Sequence, residues 1–184
     1  AVASVTASGK ISMIFCCPFD ALGATMATFA GQNMGAGKPD RIRKGLKDAG
    51  AIGSVYAVIA FGILFFAGKY VALLFVDASE TVILDNVSLM LTINSAFYIP
   101  LAFVNIVRFL IQGLGFSGLA IFSGASEMIA RARAGFLLVP AFGCPAVCFA
   151  NPLAWVAADL FLFPAYFLLM RRVEDYLSGK RAQL

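Results

Sequence analysis

The chain contains no histidine, so the commonest general base and the commonest transition-metal ligand are both missing. No Ser/His, His/Glu or paired-Asp arrangement is present either, and neither an enzyme nor a catalytic residue is expected. Cysteine is scarce: Cys16, Cys17, Cys144 and Cys148 are the four in the chain, and none follows a zinc-binding spacing, so no metal site is expected. Adjacent Cys16 and Cys17 read as apolar filler of a buried segment. Cys144 and Cys148 read as free thiols, or as a disulfide if they face an oxidising compartment. Charge is also sparse, at 13% of residues against about a quarter in a typical soluble domain. There is no initiating Met and no charged leader, so no signal peptide is visible, and the chain is expected to be a piece of a longer protein.

What is present is apolar. Hydrophobic residues make up 61% of the 184 and mean hydropathy is +0.88. A soluble fold of this length has no interior large enough for so much apolar surface, whereas a bilayer accepts it. The net charge of +4 does not point to nucleic acid, because the aromatics lie inside the apolar runs and not among the basic residues.

About 20 mostly apolar residues cross a bilayer as a helix. Five segments qualify, and an all-α integral membrane fold is expected, with helices at about 11–33, 49–75, 87–112, 117–142 and 151–171 and a tail at 172–184. The first contains Asp20, with Pro18 as a kink; the fourth contains Glu127, Arg131 and Arg133; the fifth contains Asp159. The stretch "PAFGCPAVCFANP" (Pro140–Pro152) is dense in proline and glycine, which predicts a turn between the last two. Loop charges alternate as five crossings require. Lys38, Arg41, Arg43, Lys44 and Lys47 fill the first connection, Asp77, Glu80 and Asp85 the second, Arg108 lies by the third, and Arg171, Arg172, Lys180 and Arg181 fall in the tail. The positive-inside rule then puts Gly31–Asp48, Arg108–Gly118 and the C-terminus in the cytoplasm.

"GQNMGAGKPDRIRKG" (Gly31–Gly45) looks at first like a phosphate cradle. A P-loop needs Ser or Thr after its lysine and a glycine five before the second Gly; here Pro39 follows Lys38 and Gln32 occupies the earlier position. The dinucleotide pattern fails as well, at Asp40. A turn accounts for the stretch: Gly35 and Gly37 reverse the chain, Pro39 blocks continuation of the helix, and Asp40 caps the next one. The basic residues anchor at headgroups.

With that reading in place, "ALGATMATFAGQNMGAGKPDRIRKG" closely resembles the segment after the eighth helix of the multidrug and toxic compound extrusion (MATE) transporters. "RFLIQGLGFSG" (Arg108–Gly118), "EMIAR" (Glu127–Arg131) and "VPAFGCPAVCFANPLAWVAAD" (Val139–Asp159) follow in the family's order. The resemblance implies helices eight to twelve of a twelve-helix protein, most of its C-terminal lobe, lacking the N-terminal lobe and the seventh helix as partners within the same protein. It implies a Na⁺- or H⁺-coupled antiporter in the plasma or inner membrane that exports small organic cations and aromatic drugs by alternating access, with no bound cofactor beyond the coupling ion. Gly31, Gln32, Asn33, Gly35, Gly37, Gly113, Gly115 and Trp155 carry the family pattern. Two other functions are weighed: a lipid-linked oligosaccharide flippase of the same superfamily, which calls for a basic cavity, and a small non-transporting membrane scaffold.

Ionisable groups at membrane depth are costly and therefore candidates for function. Asp20, about 12–15 Å along its helix from the loop, reads as a cation or proton site, or as a carboxylate hydrogen-bonded to a neighbouring helix. Glu127 and Arg131 have the i, i+4 spacing of a helical ion pair, either a static lock or a gate. Arg133 falls outside the pair, and Asp159 is a cavity residue or a partner of Arg171 or Lys10. Gln32 and Asn33 serve capping or interhelical hydrogen bonding. Asn94 and Asn105 lie on the helix that the family uses for a cation site, but no carboxylate occurs between Asp85 and Glu127, which shifts the main coupling carboxylate to the N-lobe. Phe97 and Tyr98 beside Pro100 are expected to line a cavity suited to aromatic cations, and Trp155 to anchor at the outer interface.

Overall fold

The structure is a computed structural model that describes residues 2–138 and 144–181. Among them the chain is helical throughout. The elements are α1 (Val2–Gly35), α2 (Pro39–Ala72), α3 (Thr81–Ala96), α4 (Tyr98–Gly113), α5 (Ser117–Arg133), which runs into a π-helical turn at Ala134–Leu138, and α6 (Cys144–Arg181). Three helices are long and apolar enough to cross a membrane, or four if α3 and α4 form one span bent by 54°. This is an all-α membrane fold.

The sequence does not put its helix ends where hydropathy alone does. The first connection shrinks to a few residues, because the basic cluster Arg41–Lys47 forms the first turns of α2. The closure is a Schellman motif: Lys38 N–H donates to the Asn33 carbonyl at 2.9 Å and Gly37 N–H to Met34 at 3.0 Å, with Gly37 at φ 64°. The reversal is thus made by Gly37, while Gly35 still belongs to α1. Asp40 is not the cap; Lys38 occupies that position without a side-chain bond, and Asp40 sits in the first turn of α2, where the helix dipole favours it. α4 ends in the same motif, with Phe116 N–H on Ile111, Gly115 N–H on Gln112 and Gly115 at φ 91°.

The single helix expected over 87–112 is two. Pro100 has no N–H for the Ala96 carbonyl and its ring crowds that oxygen, so the helix breaks at Phe97 (φ −105°, ψ 20°). The segment begins earlier as well, at Thr81. In contrast, Pro145, Pro152 and Pro164 do not interrupt α6, which starts at Cys144. The turn expected through Pro152 is therefore shorter, and residues 139–143 of it lie outside the described part. The fourth expected crossing, 117–142, is a 17-residue helix plus a π-turn. With Glu127, Arg131 and Arg133 inside it, it is not among the helices apolar enough to span alone.

α4 is the hub, packing on α1, α2, α5 and α6. Its buried positions include Leu101, Val104, Ile106, Val107, Leu110 and Ile111. α1 and α4 run parallel, since Gly23 meets Asn105 and Phe109 while Gly31 meets Gly113 further along both helices. Small residues at four-residue spacing (Gly23, Ala27, Gly31) let the backbones come together: a Cβ on Gly113 would run into the Ala27 carbonyl. α2 behaves likewise. It buries its small face (Ala49, Gly53, Ala57, Ala60) and Leu64, and exposes Ile52, Val55, Val58, Ile59 and Phe66. Large side chains outward and small ones inward is the pattern of a helix solvated by lipid.

Trp155 packs inside the bundle. It is 7% exposed, 6.3 Å from the Tyr98 ring. Tyr98 is itself fully buried, edge-on to Phe19 at 5.6 Å, so it fills the core and lines no open cavity. Phe97 is half-buried at the helix break. Cys16 is half-buried and packs against the core, whereas Cys17 is exposed and is not buried filler; the Cys144 side chain lies outside the described residues, and so does any pairing of it with Cys148.

Candidate functional site

Four helices bring ionisable side chains together around α4. Asn105 and Arg108 are spaced i, i+3, so one face of α4 carries both. Asn105, 7% exposed, donates through Nδ2 to Asp20 Oδ1 of α1 at 2.9 Å. α1 runs on to Gly35, so Asp20 lies 15 residues from its end, about 22 Å at 1.5 Å per residue. This is deeper than the loop boundary implied.

One turn further on, Arg108 reaches α5. Its Nε and Nη2 donate to Ser123 Oγ at 3.3 and 3.1 Å, and Nη2 forms an ion pair with Glu127 Oε1. The other carboxylate oxygen of Glu127 accepts from Arg131 Nη2 at 3.1 Å, the i, i+4 contact. Glu127 is 7% exposed as a residue and holds two guanidinium groups at once. The expected Glu127–Arg131 pair is therefore the outer half of a triad whose inner partner is Arg108. The side chain of Arg131 is 47% exposed and that of Arg108 only 21%. The inner contact is the one withdrawn from solvent.

The cluster continues into α6. Asp159 and Asp20 are both close enough to Arg108 to act electrostatically on its charge, while Asp159 Oδ1 is buried without a hydrogen-bond partner among the described residues. Arg108 is thus a cation whose charge Asp159 feels. Arg133 is exposed and takes no part. Three carboxylates (Asp20, Glu127, Asp159) and two guanidinium groups (Arg108, Arg131) make up the cluster, a formal balance of −1 for these five groups.

Other residues singled out in the sequence fall elsewhere. Asn94, 5% exposed, lies on α3 beyond the helix break, and its Oδ1 has no partner among the described residues. Asn33 is buried, but it donates to the Phe29 carbonyl of its own helix at 2.8 Å, so it neither caps nor crosses to a neighbour. Gln32 is exposed. Gly31 and Gly113 serve the α1–α4 contact, and Gly37 and Gly115 the helix ends. Arg108, expected beside the third connection at the cytoplasmic end of its helix, and Ser123 are the members of the cluster not anticipated as site residues. Asn-x-x-Arg inside an otherwise apolar segment was the available signal.

The comparisons agree with this architecture. A family model, MatE, matches residues 1–137, which include every member of the cluster except Asp159. No curated protein and no solved structure matches the chain. With 137 of 184 residues covered, the chain belongs to the MatE family of multi-pass membrane transporters.

Proposed function

We propose that the chain forms helices eight to twelve of a cation-coupled antiporter. It exports organic cations and aromatic compounds through alternating access, driven by Na⁺ or H⁺. The observation that carries this reading is the Asp20–Asn105–Arg108–Glu127–Asp159 cluster, in which carboxylates outnumber arginines at membrane depth. Ionised groups there cost several kcal/mol in hydrocarbon unless they serve a pathway or a pair. A net negative cluster has a use for a mobile cation, and it offers little to the pyrophosphate that a flippase would hold. Asp20 is the member most available to an ion, being exposed on the surface of α1 and held, among the described residues, by a hydrogen bond from Asn105. Alternating access requires a second half to rock against this one, so the N-terminal lobe and the seventh helix complete the transporter. The protein sits in the plasma or inner membrane, with the basic end of α2 and the C-terminus toward the cytoplasm, as the charge asymmetry favours.

Efflux of a fluorescent organic cation from proteoliposomes containing the complete protein tests this, with a Na⁺ or a pH gradient imposed separately. Asp20→Asn should reduce gradient-driven efflux while membrane insertion is retained. Undiminished efflux would remove Asp20 from the coupling pathway, and efflux indifferent to both gradients would remove antiport itself.

A further inference from the structure

Away from the charged cluster, a groove of about 680 Å³ opens between α2, α4 and α6. α2 and α6 touch only sparsely, because α2 presents Gly50, Ala51 and Ser54 where a bulky side chain would close the gap. Phe103 of α4 forms the floor, packed against Gly50 and 5.6 Å from the ring of Phe163 on α6. Arg43 and Lys47, one turn apart on α2, and Arg171 near the end of α6 line one end of the groove. Arg43 also bridges the two helices through Glu174 at 2.6 Å. Among the described residues, Lys47 and Arg171 are in no ion pair at the groove's mouth.

We infer that this groove is a binding site for an anionic phospholipid, with the phosphate at Arg43, Lys47 and Arg171 and an acyl chain over Phe103 and Phe163. Three observations fit this occupant. The positive charge is confined to one end and the remaining lining is apolar and aromatic, the distribution of charge and hydrocarbon in a phospholipid. From Arg43 to Ser54 is 11 residues, about 16 Å, which matches the roughly 15 Å hydrocarbon depth of one leaflet. The groove also opens sideways beside surfaces that face lipid, since Ile52, Val55 and Leu168 next to it are all more than half exposed. Basic pockets between membrane helices at the headgroup level recognise acidic headgroups. The same charge repels an organic cation, so the groove is separate from the transport pathway, and the inference does not depend on the transport reading.

Native mass spectrometry and thermal unfolding of the complete protein in neutral detergent test it, with phosphatidylglycerol, phosphatidylcholine and inorganic phosphate added in turn. Phosphatidylglycerol should be retained at least tenfold more strongly than phosphatidylcholine and should raise the unfolding temperature. The Lys47→Gln/Arg171→Gln pair should weaken its binding about thirtyfold, at roughly fivefold for each basic residue near an anionic group. Ser54→Trp, which fills the groove and leaves every charge in place, should weaken it too. Lys38→Gln/Arg41→Gln removes the same charge from the same end but outside the groove, and should leave binding unchanged. The inference fails if phosphatidylcholine binds equally, if the control pair loses as much as the groove pair, if Ser54→Trp binds like the unaltered protein, or if phosphate alone stabilises as well as the lipid. Should a variant fail to fold, the comparison of the two lipids on the unaltered protein still decides.

Discussion

Replacing Glu127 by glutamine keeps its shape and removes its charge, leaving Arg108 without its principal counter-ion. Breaking one side of a buried ion pair costs about 3–5 kcal/mol, because the surviving charge stays desolvated. A lone arginine at helix mid-depth costs about 2.5–3.5 kcal/mol by the insertion scale. Arg108 retains Ser123 and the fields of Asp159 and Asp20, so the lower part of that range, about 3 kcal/mol, is expected for Glu127→Gln. Arg131→Gln removes the outer contact, whose arginine side chain is 47% exposed. An exposed i, i+4 pair contributes only about 0.3–0.5 kcal/mol. The two substitutions act on one carboxylate and should nevertheless differ at least fivefold in cost. Reversible unfolding in mixed micelles measures both. A double-mutant cycle pairing Glu127→Gln with Arg108→Gln should then give a coupling of about 2 kcal/mol or more. A cost for Arg131→Gln equal to that of Glu127→Gln, or a Glu127–Arg108 coupling below about 0.5 kcal/mol, would refute the assignment of Arg108 as the inner partner.

Two further expectations concern backbone approach and helix ends. Gly113→Ala puts a methyl group onto the Ala27 carbonyl, which cannot turn aside, and Gly23→Ala meets the flexible edge of the Phe109 ring. The first should destabilise by about 2–3 kcal/mol and clearly more than the second, as overpacking does; equal unfolding midpoints would contradict the close α1–α4 contact. At the end of α1, Gly37→Ala should cost about 1–2 kcal/mol because φ is 64° there. Gly35→Ala adds a methyl group in open space within a helix and should be neutral or slightly stabilising. Circular dichroism during thermal unfolding distinguishes the pair.

Hydropathy was sufficient for the membrane class and for the rough position of α1, α2 and α6, because about 20 uncharged apolar residues have few other uses. It was blind to the break at Phe97, since Pro100 and the uncharged residues around it score as one continuous run. The density of proline and glycine in Pro140–Pro152 misleads in the opposite direction at Pro152, which α6 accommodates within its length. The loop-charge pattern puts Arg108 beside the third connection, at the cytoplasmic end of the helix expected over 87–112, although a buried carboxylate on another helix makes a place within the bundle tenable. Neither the i, i+4 spacing of Glu127 and Arg131 nor any other local pattern reveals that contact. It depends on α4 and α5 lying side by side, which is a property of the tertiary fold. Asn105 was noticed for its type, but its hydrogen bond to Asp20 spans 85 residues and is invisible in spacing.

The parallel contact of α1 and α4 bears on how these helices are able to move. With the Ala27 carbonyl seated over Gly113, a slip of one turn, about 5.4 Å, would bring the side chain of Phe109, four residues back on the same face of α4, onto that oxygen. Sliding along the shared axis is therefore blocked, and the two helices are keyed like a bolt in its slot. Motion of α1 has to take α4 with it, and with α4 the whole charged cluster that it carries. The elbow at Phe97, where the Ala96 carbonyl has no proline N–H to hold it, is the point at which the chain changes direction between α3 and the keyed pair.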